Sequence, residues 1–246
     1  MAQDPQHHPL LLQAFPRGLS RLEPLPHFRT AAAPLGAGDG GGSAVRPRRA
    51  DAAGAGGQGA MTMAEAPLPA WVRVVIVNYN GGDLLGAVVD GLARQTMADF
   101  DAVIVDNGSG DGSVERLSLP DRRFRIIHAG GNLGFAAGCN RGAAGAASPW
   151  LAMLNPDAVP APNWLERLRA ATGRHPEAAC FGSTQLMADD PSRLDGAGDN
   201  YSIFGIAWRG GYGAPATLVT GDIAVFSPCA AAALYRRDVF MAAGGF

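Results

Sequence analysis

Short apolar runs of strand length alternate with helix-like segments from Trp71 onward, and this alternation constrains the fold more than any other feature. The runs are rich in β-branched residues, as in strands that are buried on both faces. Five strands are predicted, over residues 72–77, 102–105, 124–127, 150–154 and 178–181. Helices are predicted over residues 84–92, after an N-cap at Asp83, and over residues 111–117, 135–146 and 163–172. Such alternation across short connections predicts an α/β domain with a mostly parallel sheet and right-handed crossovers.

Residues 1–69 have a different composition, dominated by Ala, Gly, Pro and Arg. Such a segment buries too little apolar surface to offset the entropy that ordering would cost. The sequence therefore predicts a disordered leader over residues 1–69 and a folded domain over residues 70–246. Met61 and Met63 lie just before this domain, and we hypothesise that one of them is the true start.

Charge and composition exclude several classes of protein. The 20 basic and 22 acidic residues give a net charge of −2, so no nucleic-acid partner is expected. All basic residues are arginine, which excludes mechanisms that require a lysine. Cys139, Cys180 and Cys229 lie far apart, which argues against both a disulfide framework and a structural zinc site. No run approaches the roughly 18 apolar residues of a membrane helix, and a cytoplasmic location is the expectation.

Polar residues follow three of the predicted strands directly. They are Asn78–Asn80 after the first strand, Asp106 and Asn107 after the second, and Asn155 and Asp157 after the fourth. Open α/β sheets bind ligands beyond the carboxyl ends of their strands. The three clusters therefore predict one binding site at that edge of the sheet.

The first loop argues against a dinucleotide in this site. A dinucleotide-binding turn has the pattern G-x-G-x-x-G directly after the first strand. Here that position reads Asn78–Gly82, and the glycines at 108, 110 and 112 do not restore the pattern. An oxidoreductase is therefore disfavoured.

Asp106 and Asp157 offer more specific chemistry, although each also has a simpler interpretation. The Asp106 carboxylate is able to accept hydrogen bonds from a base or a ribose, and Tyr79 offers a stacking face. Asp157 beside Asn155 suits a hard cation such as Mg²⁺ or Mn²⁺, which takes its other ligands from phosphate. Asp106 alone is equally well explained as a turn residue, and an isolated Asn-Pro-Asp tripeptide is better explained as a turn.

Together, these segments resemble the family 2 glycosyltransferases, which have the GT-A fold. The residues that carry the resemblance are Val74–Asn80, Val103–Ser109, Asp111–Ser113, Asn132–Ala136, Asn140–Gly142 and Leu154–Asp157. The resemblance spans about residues 71–246. It looks closest to the bacterial rhamnosyltransferase-like branch, in which Asn-Pro-Asp replaces the more usual Asp-x-Asp.

The resemblance implies a role for each matched residue. Asn78, Tyr79 and Asn80 would line a nucleotide pocket, and Asp106 would bind a uracil or thymine ring. Asn132, Gly134, Asn140 and Arg141 would border the ribose, the diphosphate and the sugar. Asp157 would bind Mg²⁺ or Mn²⁺, with Asn155 as a weaker neighbour.

The implied reaction transfers a sugar, with inversion, from a UDP- or dTDP-sugar (rhamnose is one candidate) to a glycan or lipid-linked acceptor. In the family the general base follows a Gly-Gly-Phe-Asp-like element, and here the chain reads Gly244, Gly245 and Phe246. The base is therefore expected beyond Phe246, in a chain that is truncated at its C-terminus. Cell-surface polysaccharide or glycolipid assembly at the inner face of a bacterial membrane, with peripheral membrane association, is the family-level expectation.

Two alternatives stay open at this point. One is an inactive fragment or pseudoenzyme that retains only nucleotide-sugar binding. The other is a nucleotidyltransferase, although the loop Asn78–Gly82 has no basic residue for a triphosphate.

Overall fold

An eight-stranded mixed sheet lies at the centre of the fold. The computed structural model describes residues 10–14 and 69–246, which belong to one compact unit. The strands are β1 (Leu10–Ala14), β2 (Val72–Asn78), β3 (Phe100–Asp106), β4 (Phe124–His128), β5 (Trp150–Leu154), β6 (Ala178–Ser183), β7 (Gln185–Leu186), β8 (Leu194–Gly196), β9 (Asp199–Tyr201), β10 (Ala207–Arg209), β11 (Ile223–Ala224) and β12 (Ala232–Arg236). The helices are α1 (Leu84–Ala93), α2 (Phe135–Ala143), α3 (Trp164–Arg174) and α4 (Arg237–Ala242), with a 3-10 turn over Ala216–Leu218.

The strand order in the sheet is β11-β1-β6-β12-β5-β2-β3-β4. β2 pairs in parallel with β3 and with β5, and β3 pairs in parallel with β4. β12 lies between β5 and β6 and is antiparallel to both. The remaining strands form two small hairpin sheets, β7 with β8 and β9 with β10. The mostly parallel core of the sheet confirms the predicted fold class, while the sequence did not predict the inserted antiparallel strand.

Strand β2 shows why helices cover both faces of the sheet. Its side chains alternate between two hydrophobic clusters, with Val74 and Ile76 in one and Val75 and Val77 in the other. Residues of α1 and α3 complete the first cluster, and residues of α2 and α4 complete the second. Each fully buried aliphatic side chain of this kind contributes about 1.5–3 kcal/mol to stability. The continuous apolar run in the sequence is thus the signature of a strand with no solvent face.

The helix predicted over residues 111–117 is wrong. This segment forms hydrogen-bonded turns, with Arg116 N–H donating to the Gly112 oxygen and Leu117 N–H to the Val114 oxygen. The Asp111 carboxylate accepts the backbone N–H groups of Ser113 and Gly82, so the segment is tied to a neighbouring loop. So short a segment has no helical nucleus strong enough to compete with these contacts. Helix α1 begins after Asp83 as predicted, although the Asp83 side chain makes no capping hydrogen bond.

Most of the leader predicted over residues 1–69 lies outside the described residues. The exception is β1, which pairs antiparallel with β6 and parallel with β11. The sequence analysis did not predict this strand, because the composition of the whole leader concealed its short apolar run. Within residues 69–246, no helix has the length and apolar character needed to cross a bilayer.

Candidate functional site

A cleft of about 510 Å³ lies beyond the carboxyl ends of β2, β3 and β5. Its lining combines aromatic, amide and carboxylate side chains with the loops that follow these strands. The lining residues are Val77, Tyr79, Asn80, Gly81, Leu84, Asn107, Asn132, Gly134, Phe135, Asn155, Pro156 and Asp157. The structure therefore brings together members of all three predicted clusters, with Asn107 representing the second, and it adds Leu84, Phe135 and Pro156.

The loop after β2 turns tightly over a buried amide. Asn78 is fully buried, and its Nδ2 donates to Ser109 Oγ and Ser113 Oγ, each at 2.9 Å. A Cβ added to Gly81 would lie 2.3 Å from Asn78 Oδ1 and 3.4 Å from Pro156 Cβ, so only glycine permits this close approach. Asn78 thus supports the cleft from beneath and does not line it.

The loops after β2 and β3 are held together by side chain–backbone hydrogen bonds. Asn80, at a left-handed φ of 55°, accepts the Gly110 N–H through its Oδ1 at 2.9 Å. Its own N–H donates to Ser109 Oγ at 3.2 Å. Asp111 Oδ2 accepts the Gly82 N–H at 2.8 Å. These contacts fix the wall on which the exposed Tyr79 ring is presented.

Asn107 connects the β3 loop to the segment before α2. Its Oδ1 accepts the Leu133 N–H at 2.9 Å, and its Nδ2 donates to Asn132 Oδ1 at 3.0 Å and to the Gly134 oxygen at 3.3 Å. Asn107 is 2% exposed and uses both ends of its amide, so it shapes this part of the cleft. Its place directly after Asp106 in the strand-end cluster was the available sequence signal for this role.

Asp106 lies at the end of β3 but is absent from the lining of the cleft. Its Oδ1 accepts the Ser109 N–H at 2.9 Å, and its Oδ2 lies 3.0 Å from His128 Nδ1. Burial raises the pKa of this carboxyl, but the hydrogen bonds from Ser109 and His128 outweigh burial, and the net pKa is lowered. Asp106 is therefore an ionised, oriented carboxylate beside the cleft.

Asn155–Ala158 form a tight turn at the end of β5. The Ala158 N–H donates to the Asn155 oxygen at 3.2 Å, with Pro156 at the second position of the turn. The Asn155 N–H donates to the Ala231 oxygen at 2.8 Å, which fastens the turn to the chain leading into β12. Asp157 is exposed and faces no hydrogen-bond or ion-pair partner among residues 69–246.

The two remaining predicted residues lie outside the lining of the cleft. Asn140 bonds to the backbone of Phe246, and Arg141 donates to the His128 oxygen at 3.4 Å. Asn132 and Gly134, by contrast, do line the cleft. No cluster of three or more metal-ligating His, Cys, Asp or Glu side chains occurs in the part of the chain that the structure describes.

The family of the chain follows from a match over most of the domain. The family model described as Glycosyl transferase family 2 matches residues 73–244, which is more than half of the chain. The chain belongs to glycosyl transferase family 2. The matched range contains every residue that lines the cleft.

Individual relatives agree with this membership. A PGL/p-HBAD biosynthesis glycosyltransferase of Mycobacterium bovis is 32% identical over 130 residues, which cover 51% of this chain and 51% of that protein. An uncharacterised glycosyltransferase of Haemophilus influenzae is 25% identical over 124 residues, covering 49% of this chain and 38% of the relative. The chain thus spans about half the length, or less, of these curated relatives.

A solved structure supports the GT-A-like fold. A mannosyltransferase from Pyrobaculum calidifontis, in complex with GDP-Man and Mn²⁺, matches with a TM-score of 0.51 and 18% identity. The match covers 72% of this chain and 48% of the mannosyltransferase.

Proposed function

We propose that this family 2 domain transfers a sugar, with inversion and with the help of a divalent cation, from a UDP- or dTDP-sugar to a glycan or lipid-linked acceptor. The observation that carries the proposal is the exposed carboxylate of Asp157, which has no partner among the described residues and lies in a cleft at the carboxyl ends of three parallel strands. A rhamnosyl donor is the finer form of the proposal, and it rests on the Asn155–Asp157 tripeptide.

The nucleotide half of the donor would lie against the loops after β2 and β3. Tyr79 presents an exposed ring to the cleft and would stack on the base. The Asp106 carboxylate is oriented by Ser109 and His128 and keeps acceptor capacity, so it would accept a ring N–H of uracil or thymine. Asn80, Asn132 and Gly134 would border the ribose and the diphosphate.

Asp157, with Asn155 beside it, would hold the divalent cation. One or two protein oxygens, completed by phosphate and water, are the usual protein contribution to a Mg²⁺ site, and the donor set of this turn fits that chemistry. The cation would neutralise the negative charge that grows on the departing diphosphate. The mannosyltransferase with a similar fold is described with Mn²⁺, which is consistent with this assignment.

The reaction would be an in-line displacement at the anomeric carbon. The acceptor oxygen forms the new bond as the bond to the diphosphate oxygen breaks, and a general base takes the acceptor proton. Asp222, an aspartate in the later half of the domain, forms ion pairs with Arg174 at 2.8 Å and with His175 at 3.2 Å, and we do not assign it the role of general base. If the acceptor is carried on a lipid, we expect the protein to work in the cytoplasm at the inner face of the membrane.

Calorimetry with UDP-, dTDP- and GDP-sugars, each with and without Mn²⁺, tests the proposal. We expect binding of a uridine or thymidine diphosphate sugar that weakens when Mn²⁺ is removed. A matched assay for release of the nucleoside diphosphate separates a transferase from a domain that only binds. Absence of binding to every nucleotide would contradict the proposal, and metal-independent binding would contradict the role of Asp157.

A further inference from the structure

Asn140 makes a two-point contact with Phe246, which lies 106 residues away in the sequence. Its Nδ2 donates to the backbone oxygen of Phe246 and its Oδ1 accepts the Phe246 N–H, each at 3.0 Å. The side-chain amide thereby pairs with one residue of backbone as a neighbouring strand would. Both polar ends of Asn140 are used in this contact, and the residue does not line the cleft.

The turn that reaches Asn140 has a backbone suited only to glycine. Gly244 and Gly245 follow α4 with φ angles of 86° and 83°, in the left-handed region that favours glycine. A Cβ on Gly245 would also lie 2.3 Å from Asn140 Oδ1. Asn140 and Gly245 are therefore a matched pair, in which the amide is able to approach because the side chain opposite is missing.

Ring packing connects Phe246 to the wall of the cleft. The Phe246 ring packs edge-on against Phe240 at 5.2 Å and against Tyr235 at 5.4 Å. It stacks on Phe135 at 6.4 Å with an interplanar angle of 25°. Phe135 is the first residue of α2 and lines the cleft with an exposed ring.

We infer that Asn140 is a positioning residue, which fastens the Gly244–Phe246 turn so that Phe246 supports Phe135 in the wall of the donor cleft. The inference deepens the proposed function and rests on it for its effect on the donor. It also gives Asn140 a different role from direct contact with the ribose or the sugar. The two roles predict different couplings with Phe246.

A double-mutant cycle on nucleotide affinity separates these roles. Asn140→Ala, Phe246→Ala and the double variant are made in the full chain, and the Kd for UDP and for dTDP is measured with Mn²⁺. We expect each single change to weaken binding by roughly threefold to tenfold, and the double change to weaken it no more than the larger single one. Additive effects, or an unchanged Kd in either single variant, would overturn the inference.

A matched control guards against a general loss of stability. Phe124 is buried at the start of β4 and packs on Phe100, at the opposite end of the sheet from the cleft. Phe124→Leu is expected to lower the melting temperature while leaving the Kd unchanged. If the Kd weakens with falling stability in this variant as well, the positioning role of Asn140 is contradicted.

A second cycle tests the contact without any ligand. Gly245→Ala is compared by urea unfolding in the wild-type background and in the Asn140→Ala background. The left-handed backbone strains alanine in both, but the clash with the amide exists only in the first, so the substitution is expected to cost less stability in the second. Equal costs would refute the pairing of Asn140 with Gly245. This cycle still reports on the contact if no nucleotide binds, so a failure of the proposed function is distinguishable from a failure of the inference.

Discussion

Asp106 and Asp157 both lie at the carboxyl ends of buried parallel strands, yet the two carboxylates differ in their hydrogen-bond partners. Asp106 is held by the Ser109 N–H and by His128, and its side chain is only 14% exposed. Asp157 lies in the open cleft with no partner in the part of the chain that is described. A carboxylate that already accepts hydrogen bonds from the protein is held in one orientation for a further contact. A carboxylate without such hydrogen bonds is available to bind a cation.

The largest effect that we expect is on metal-dependent binding at Asp157. Asp157→Ala should weaken Mn²⁺-dependent nucleotide affinity by at least about tenfold, or about 1.4 kcal/mol, because it removes the only carboxylate among the described residues that line the cleft. The fold should be unaffected, since no described contact is lost. Calorimetry with and without Mn²⁺ measures the change. Asp189→Ala, at another exposed aspartate outside the cleft, is the matched control, and unchanged metal dependence in Asp157→Ala would reassign the ligand.

For folding stability we expect the opposite ranking, with Asp106→Ala costing more than Asp157→Ala. Asp106→Ala leaves the Ser109 N–H and His128 without their acceptor, and a loss of about 1–3 kcal/mol in the free energy of unfolding is expected. Asp157→Ala should change it by less than about 0.5 kcal/mol. Urea unfolding of both variants makes the comparison, and equal losses would show that the hydrogen bonds of Asp106 do not stabilise the fold.

The stabilisation by Asp106 should also depend on pH. The folded-state pKa of Asp106 lies below its ordinary value of 3.8, so its stabilising contribution is complete above that value and is lost as the pH falls through the lowered one. The difference in unfolding free energy between the wild type and Asp106→Asn should therefore shrink below about pH 4. Urea unfolding from pH 7 to pH 3 follows this difference. If the difference in unfolding free energy stays constant or grows in acid, the fold does not selectively stabilise the charged form of the Asp106 carboxylate.

A smaller effect on stability than that of Asp106→Ala is expected at His128. The His128 side chain is 69% exposed, so its contact with Asp106 contributes only about 0.2–1 kcal/mol. His128→Ala should lower stability within this range, and it should bring the acid transition of Asp106 closer to its ordinary pH. A loss as large as that of Asp106→Ala would mean that His128, and not Ser109, dominates the environment of the carboxylate.

Sequence patterns were sufficient to predict the parallel strands of the sheet and the edge of the sheet at which the cleft lies. β2, β3 and β5 are short apolar runs followed at once by polar residues, so their positions and their polar ends are local properties of the chain. β12 was missed because its alanine-rich segment has no strand signal of its own. It becomes a strand by lying between β5 and β6, far away in sequence.

The sequence by itself determined that polar residues would gather at one edge of the sheet, and only the tertiary structure decided which of them line the cleft and which are held by other parts of the chain. Asn78, Asp106 and Asp157 look equivalent as strand-end residues in the sequence. In the structure Asn78 is buried beneath the loops and Asp106 is bound by His128, while Asp157 has no partner within residues 69–246. The physical reason is distance along the chain: the partners of Asn78, Asn107 and Asn140 lie 25 to 106 residues away, where no local pattern reports them.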